Sequence, residues 1–242
     1  IICAGLEGQS GPVLRAVPST DLVGRPKAYL SGKRPLIVSF GRSGNSTESI
    51  GSLDALDALA PDAPRLNITC NKQGALAARS AKGAQKIVVL PDACHDKGFA
   101  MTSSFSTMLL TALAVFDQSG TDISVLKPMA QILRTALPGF HAAVPARPAR
   151  AVFVGTGPLA YAAREAALKV MELSAGATPA LWDSTLGFRH GPKSFVTDDT
   201  LIAVFVSSDA DTARYDIDLA DELRSQFPKA QVITIGAGCD IG

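Results

Sequence analysis

The chain has 242 residues, of which 47% are hydrophobic and 19% charged, a composition typical of a globular protein with a sizeable buried core. Its 23 basic and 22 acidic residues nearly cancel and only 6% of the residues are aromatic, so we expect no surface for nucleic acid. No apolar run approaches the roughly 20 residues needed to cross a bilayer, so we expect no membrane association.

Short apolar runs, rich in β-branched residues, alternate along the chain with segments of helical composition. Apolar residues occupy both the odd and the even positions of these runs, so both faces of each strand would be apolar. This fits strands of a parallel sheet that is covered on both faces. The alternation predicts right-handed βαβ crossovers and an α/β fold with a doubly wound sheet. The predicted strands are Ile1–Ala4, Leu36–Phe40, Leu66–Cys70, Lys86–Leu90, Ala151–Val154, Leu201–Val206 and Gln231–Ile235. The predicted helices are Thr47–Ala60, Gly74–Lys82, Ser103–Phe116, Ser124–Leu137, Leu159–Ala175 and Ala210–Phe227.

The segment PGFHAAVPARPAR, residues 138–150, is rich in proline and has no helical period, so it is predicted to be an extended linker. A run that ends in glycine begins each half, IICAG before the linker and AVFVGTG after it, so the halves look like two related α/β units. We expect one unit over 1–140, a linker over 141–150 and a second unit over 151–242. Because the chain begins and ends in predicted strands, we expect both units to be incomplete.

The cysteines are scattered and form no CxxC motif or Cys/His cluster, so neither a structural zinc nor another metal site is expected. Isolated cysteines in or beside strands are typical of small apolar core residues. Unpaired thiols favour the cytoplasm as the compartment of the protein. The cysteines are Cys3, Cys70, Cys94 and Cys239.

The stretch SFGRSGNSTES, Ser39–Ser49, joins a predicted strand to a predicted helix and is crowded with hydrogen-bond donors. In open α/β sheets, ligands bind at this end of the strands, where the first N–H groups of a helix are unpaired and the helix dipole is positive. Gly41 and Gly44 let the backbone approach a ligand, and the hydroxyls can donate to it, so the turn suits a phosphate. It is neither a Walker A loop nor a GxGxxG motif.

An ordinary capped turn explains the same stretch equally well. Ser46 or Thr47 has the side chain of an N-cap residue, and Asn45 with Glu48 has the spacing of a capping box.

The segment LAYAAREAALKVMELSAG has the composition of a stable helix, and Glu165, Lys169 and Glu172 are spaced i, i+4 and i+7 on it. A solvated face with ion pairs worth a few tenths of a kcal/mol is the simple interpretation. The rest of the helix is almost wholly apolar, however, which suits a buried helix whose charges need a role. A carboxylate beside a lysine in a partly desolvated cleft is a candidate general base.

Downstream, His190 lies in GFRHGPKSF, between a glycine and a Gly-Pro pair. A histidine in such a loop is a candidate acid or base near neutral pH, although a merely exposed turn residue fits as well. His95 lies in a long loop before a predicted helix and is able to line a site, whereas His141 lies in the predicted linker.

Three motifs, SFGRSGNSTES, DKGFAMTSSFSTMLL and REAALKVMELSAG…LGFRHGPKSFV, together resemble the double-SIS (sugar isomerase) family. The AgaS-type group, described as tagatose-6-phosphate ketose/aldose isomerases or galactosamine-6-phosphate deaminases, is the most similar, and the isomerase half of glucosamine-6-phosphate synthase also resembles the chain. The resemblance spans about 30–240. It implies two SIS-type α/β/α units with central parallel sheets of the flavodoxin-like kind. It also implies an isomerase or deaminase acting on a hexose- or hexosamine-6-phosphate.

The resemblance assigns roles to residues of this chain. It implies that Glu172 moves the proton between C1 and C2, with Lys169 and Glu165 as its charged neighbours, and that His190 helps to open the sugar ring. In relatives this histidine reaches into the site of the partner subunit, which implies a homodimer with a shared site. The implied phosphate-binding residues are Arg42, Ser43, Gly44, Asn45 and Ser46. The implied substrate-binding residues are Thr102, Ser103 and Ser104, and the glycine-ended run AVFVGTG adds Gly155 and Thr156.

The chemistry requires no cofactor and no metal, and the expected partner is a small sugar phosphate. A non-catalytic SIS module that senses a sugar phosphate remains an alternative, as does a deglycase that cleaves fructosamine-6-phosphate. One departure from the family is visible: relatives carry a G-T-S-like turn after the first strand, whereas here CAG runs into LEGQSG.

Overall fold

The computed structural model describes residues 1–30, 35–119, 122–143 and 147–241 and shows an α/β fold with two parallel sheets. The strands are β1 (Ile37–Gly41), β2 (Arg65–Thr69), β3 (Gln85–Val89), β4 (Arg150–Gly155), β5 (Ala180–Ser184), β6 (Thr200–Phe205) and β7 (Gln231–Ile235). The α-helices are α1 (Ile2–Gly5), α2 (Ser19–Gly24), α3 (Pro26–Leu30), α4 (Thr47–Leu59), α5 (Ala75–Ala78), α6 (Ser103–Phe116), α7 (Leu126–Ala143), α8 (Pro158–Leu173), α9 (Thr185–Phe188) and α10 (Ala210–Gln226). Short 3-10 helices cover Asp92–Cys94, Ile123–Val125 and Pro192–Phe195.

The chain forms two compact units, Gly11–Asp117 and a second made of Ile1–Ser10 with Gln118–Gly242. We call them the three-stranded unit and the four-stranded unit, after their sheets. This division differs from the predicted one, in which the first unit extended over 1–140 and began with residue 1. No helix among the described residues is long and apolar enough to cross a membrane.

The three-stranded unit has its sheet in the order β1-β2-β3, with all strands parallel. The central strand β2 is buried along its whole length, because helices cover it on both faces. Leu66 and Ile68 pack with Met108 of α6. Since parallel strands end at one edge of the sheet, the turn after β1 and the segments after β2 and β3 share that edge.

The four-stranded unit has the strand order β5-β4-β6-β7, again with every neighbouring pair parallel. Its core is formed by valines and isoleucines of β4 and β6, packed against Phe188 of α9 and Leu219 and Leu223 of α10. The strand order reverses on the two sides of β4, which makes the carboxyl ends of β4 and β6 a topological switch point, the usual place of a ligand in such sheets.

Some predicted elements are wrong. Ile1–Ala4 is not a strand, because Gly5 and Leu6 donate helical hydrogen bonds to Ile1 (2.8 Å) and Ile2 (3.0 Å). So short an apolar run has no period that separates helix from strand. Residues 138–143 are not an extended linker, because α7 continues through Pro138 to Ala143. A proline removes one helical hydrogen bond, but the surrounding leucines and alanines favour the helix.

Two further differences concern short elements. The predicted helix Gly74–Lys82 is helical only over α5, because the backbone becomes extended at Arg79, whose guanidinium bridges Asp54 (2.6 Å) and Asp57 (2.7 Å). Strand β5 was not predicted. It is a half-buried edge strand that pairs, among the described strands, only with β4, and its sequence ALWDS has just three consecutive apolar residues, none of them β-branched.

Candidate functional site

The turn after β1 is shaped by two glycines that no other residue can replace without movement. Gly44 has φ +65°, and a Cβ there would lie 2.8 Å from the Cβ of Leu76. A Cβ on Gly74 would lie 2.2 Å from the carbonyl oxygen of Ser43. The side-chain amide Nδ2 of Asn71 donates to this same carbonyl oxygen at 3.0 Å. The loop before α5, which contains Asn71 and Gly74, therefore packs directly against the turn after β1 and restricts its conformation.

The hydrogen bonds in this turn show that part of it is an N-cap. Ser46 is the N-cap residue of α4, and its Oγ accepts from the Ser49 N–H at 3.2 Å. The predicted capping box is wrong, because the Asn45 side-chain oxygen accepts from the Ala75 N–H at 2.7 Å and so braces α5. Ser46 was one of the two N-cap residues predicted.

Capping does not use all the donors of the turn. The N–H groups of Thr47 and Glu48, in the first turn of α4, have no acceptor among the described residues. The side chains of Ser43, Asn45 and Ser46 are exposed at the carboxyl edge of the sheet. The turn thus combines free backbone N–H groups, hydroxyls and a helix N-terminus, which is the arrangement that binds phosphate.

Arg42, predicted to bind phosphate, has a structural contact as well. Its Nη1 donates to the carbonyl oxygens of Gly98 (3.0 Å) and Phe99 (3.3 Å). The guanidinium thereby ties the loop before α6 to the end of β1, so only its remaining N–H groups are left for a ligand.

Two of the three hydroxyls of the TSS segment, which was predicted to bind substrate, donate to Asp96. The carboxylate accepts from the Thr102 Oγ1 (2.7 Å), the Ser103 N–H (2.7 Å) and the Ser104 hydroxyl, as well as from two more backbone N–H groups. Asp96 thus caps the N-terminus of α6, although it lies outside the helix in the preceding loop. Sequence reasoning missed it; the available signal was an acid in a glycine-containing loop six to eight residues before a helix start.

Desolvation acts to raise the pKa of Asp96, but the hydrogen bonds from Ser104 and Thr102 and from the backbone outweigh it and hold the pKa well below its ordinary value. The carboxylate is therefore ionised at neutral pH and fills the N-terminus of α6, where a negative charge is stabilised.

Replacing Asp96 by alanine is expected to lower the free energy of unfolding by about 1–2 kcal/mol at pH 7, the usual cost of losing an N-cap. Because folding lowers this pKa, the stabilisation is complete above the unfolded pKa of about 4 and is lost as the pH falls through the folded value. Urea unfolding should therefore show a difference from the unmodified chain that shrinks only below about pH 4. The control is Asp92→Ala, an exposed carboxylate in the 3-10 helix that precedes this loop. Equal losses in both variants would contradict the capping role.

In the four-stranded unit, α8 brings Glu165, Lys169 and Glu172 together as predicted. The Lys169 Nζ lies 3.1 Å from Glu165 Oε1 and 2.5 Å from Glu172 Oε2. The three side chains are only 24%, 19% and 22% exposed. A solvated helix face would show greater exposure, so these charges are partly withdrawn from water.

Desolvation acts to lower the pKa of Lys169, but hydrogen bonds with Glu172 and Glu165 outweigh it, and the pKa lies above its ordinary value. The ammonium is therefore retained at neutral pH. One fixed positive charge between two carboxylates is able to stabilise negative charge that develops on a bound substrate beside Glu172.

His190 lies in the turn between α9 and the 3-10 helix Pro192–Phe195, and its side chain is exposed. Its backbone N–H donates to Gly187 at 2.9 Å. His95 and His141 are also exposed, His95 directly after a 3-10 helix and His141 in the last turn of α7. His190 alone of the three lies beside a glycine of positive φ, Gly191 at +123°.

Gly155 and Thr156, predicted to bind substrate, have structural roles. A Cβ on Gly155 would lie 2.8 Å from the Cβ of Leu159, so the glycine permits the close approach of α8. The Thr156 hydroxyl donates to Asp216 at 2.7 Å. Asp216 is fully buried on α10 and also accepts from the Thr185 hydroxyl and from the Ser207 N–H.

Asp216 therefore joins the carboxyl ends of β4, β5 and β6 at the switch point of this sheet. Sequence reasoning missed it, since nothing local distinguishes it from the other acids of α10. Among the described residues, no group of His, Cys, Asp and Glu side chains is arranged to hold a metal ion.

Comparisons with known proteins agree with the resemblance predicted from the three motifs. The D-galactosamine-6-phosphate deaminase AgaS of Escherichia coli is 44% identical over 244 residues, which cover 98% of this chain and 64% of that protein. The protein of the same name from Shewanella sp. is 42% identical over 225 residues, 92% of this chain and 58% of that protein. The chain thus spans less than two thirds of the length of these curated relatives. No family model matches.

Solved structures share the fold. The crystal structure of tagatose-6-phosphate ketose/aldose isomerase from Escherichia coli matches with a TM-score of 0.89 at 42% identity, over 97% of this chain and 65% of that one. The C-terminal domain of glucosamine-fructose-6-phosphate aminotransferase from Francisella tularensis matches with a TM-score of 0.67 at 18% identity, over 99% of this chain and 74% of that one. The second match bears on the fold alone. The predicted α/β class with parallel sheets is confirmed.

Proposed function

We propose that this chain is the sugar-phosphate-converting part of an enzyme that isomerises or deaminates a hexose- or hexosamine-6-phosphate. The observation that carries the proposal is the half-buried Glu165–Lys169–Glu172 group on α8, which a ligand-sensing module would not need. The similarity to proteins named D-galactosamine-6-phosphate deaminase and tagatose-6-phosphate ketose/aldose isomerase supports the substrate class.

In the proposed reaction, the carboxylate of Glu172 removes the proton from C2 of the open-chain aldose and returns it to C1. The electron pair left at C2 forms an enediolate, whose negative charge the Lys169 ammonium stabilises, and the proton of the O2 hydroxyl passes to O1 before C1 is protonated. His190 assists the opening of the sugar ring. With a 2-amino sugar, the same proton transfer gives a C2 imine, and water then hydrolyses it to the ketose and ammonia.

The phosphate would be held at the turn formed by Ser43, Gly44, Asn45 and Ser46, remote from the reacting carbons. Binding energy from a group that does not react can be used to orient the part that does. The exposed serines and the free N–H groups of Thr47 and Glu48 support this assignment. The TSS segment contributes by its position more than by its hydroxyls, because Asp96 accepts those of Thr102 and Ser104.

Three further features belong to the proposal. The two units are a tandem repeat of one α/β/α architecture. The protein forms a homodimer in which His190, exposed in its turn, serves the site of the partner. The location is the cytoplasm, which is consistent with the free thiols of Cys3, Cys70, Cys94 and Cys239.

The test is a panel of substrates incubated with the protein: galactosamine-6-phosphate, glucosamine-6-phosphate, tagatose-6-phosphate and fructosamine-6-phosphate. We expect ammonia and a ketose-6-phosphate from galactosamine-6-phosphate, measured by coupled assays. Turnover of fructosamine-6-phosphate alone would indicate a deglycase. Saturable binding without turnover of any member would contradict the enzymatic proposal and favour a sensing module.

A further inference from the structure

The segment that carries His190 is held on both sides by one carboxylate of α10. Glu222 Oε2 lies 2.8 Å from the Nε of Arg189, and its other oxygen contacts the Nζ of Lys193. Arg189 directly precedes the histidine, and Lys193 follows it by three residues. Asp218, one turn before Glu222 on α10, adds a contact of 2.6 Å to the Arg189 Nη2.

The histidine itself takes no part in this network. Its side chain is exposed, and no described residue forms a hydrogen bond with the imidazole. The start of the same segment is fixed separately, since the buried Asp216 accepts from the Thr185 hydroxyl and Ser184 Oγ caps α9 by accepting from the Gly187 N–H. Hydrogen bonds and ion pairs thus restrain the backbone before and after His190, while the imidazole remains available to a ligand.

An ordinary surface ion pair would be a weak reason for this arrangement, since such pairs contribute little to stability. Here the side chains of Arg189, Lys193 and Glu222 are only 24%, 22% and 26% exposed. The contact of Lys193 with Glu222 and the charge of Arg189 outweigh desolvation and lower the pKa of the Glu222 carboxyl, so it stays ionised at neutral pH. A partly shielded network of two anions, Glu222 and Asp218, and two cations holds its geometry better than an isolated exposed pair.

We propose that Glu222 is a positioning residue for His190: by binding Arg189 and Lys193 together, it sets the place and direction from which the imidazole reaches the sugar ring. The proposal rests on the proposed function, in which His190 acts in ring opening. Without the Glu222 charge, Arg189 and Lys193 lose their common acceptor; Arg189 keeps Asp218, but the link between the two sides of the histidine is gone. A displacement of about 1 Å in a reacting group is sufficient to slow a reaction about 100-fold.

The experiment is a double-mutant cycle on kcat with the full chain, using Glu222→Gln, His190→Ala and the double variant. We expect Glu222→Gln to lower kcat by about 10- to 100-fold with little change in KM, and to have no further effect in the His190→Ala background. Lys193→Met should show a smaller effect that is also lost in that background. Glu222→Asp, which keeps the charge on a shorter side chain, should recover part of the activity.

Asp221→Asn is the matched control, because Asp221 lies on the same helix but pairs with the exposed Arg224 at 3.2 Å and contacts neither Arg189 nor Lys193. It should leave kcat unchanged. If Glu222→Gln lowers kcat by the same factor with and without His190, the residue acts on stability or elsewhere, and the inference is overturned. If the unmodified chain shows no turnover, the proposed function fails. If His190→Ala is fully active, the role of His190 in ring opening fails. Both results differ from an equal effect of Glu222→Gln in the two backgrounds.

Discussion

Replacing Glu172 by glutamine is expected to lower kcat by about 100- to 10,000-fold, the range that a positioned general base contributes. Glutamine keeps the size of the side chain and an oxygen that can accept from Lys169, which lies 2.5 Å from the carboxylate. It cannot take up a proton at neutral pH, so binding should survive while proton transfer is lost. The measurement is kcat with the most active sugar phosphate, together with its dissociation constant by calorimetry.

The matched control for this substitution is Glu7→Gln, which makes the same chemical change at an exposed residue and should leave kcat unaltered. Exchange of the C2 proton with deuterium from the solvent provides an independent measurement, because it reports the proton transfer without requiring product release. A Glu172→Gln variant that binds sugar phosphate and turns it over at the unmodified rate would show that the Glu165–Lys169–Glu172 group is only a set of helix ion pairs.

Replacing Gly74 by alanine is expected to destabilise the three-stranded unit by about 1–3 kcal/mol and to weaken binding of the sugar phosphate, as overpacking at a tight contact does. The added Cβ would lie 2.2 Å from the carbonyl oxygen of Ser43, which is backbone and cannot rotate away. The backbone of Gly74 itself has a φ of −68°, which alanine adopts without strain, so the effect isolates the close approach. The turn around Ser43 must therefore shift.

Urea unfolding and the KM for the sugar phosphate measure the two consequences of the Gly74 substitution. Gly24→Ala is the control, because a Cβ there meets nothing within 4 Å and the residue ends helix α2. That change should leave KM unaltered and leave stability equal or slightly increased, since alanine is the better helix former. If Gly74→Ala retains both the stability and the KM of the unmodified chain, the packing of the α5 loop does not determine the shape of the turn to which we assign the phosphate.

Elements with a long local pattern were predicted closely. Helices α4, α6 and α10 each begin at the predicted residue, and α6 also ends there. Helix propensity and the residues that cap a helix operate within one segment, so the sequence contains the necessary information. Two short elements, α1 and β5, were misassigned or missed, because their state depends on what they pack against.

The same distinction applies to the candidate functional residues of each unit. The Glu165–Lys169–Glu172 group was determined by the sequence itself, because a helix brings residues spaced i, i+4 and i+7 onto one face whatever surrounds it. The strand-to-helix turn at Ser43–Ser46 was equally local. The sequence did not reveal that Asp96 accepts from the hydroxyls of Thr102 and Ser104, although only six to eight residues separate them, because the loop between them has no period.

Only the tertiary structure decided the contacts made over long separations. Arg42 binds the loop at Gly98, 56 residues away; Asp216 joins Thr156 and Thr185, which lie 60 and 31 residues from it. Glu222 reaches across 29 residues to Lys193. Such pairs follow from the order of the strands and from the packing of α10 against their ends, which no local pattern encodes. The sequence therefore indicated the residues to which we assign the chemistry, and the packing of the fold decided which residues hold them in place.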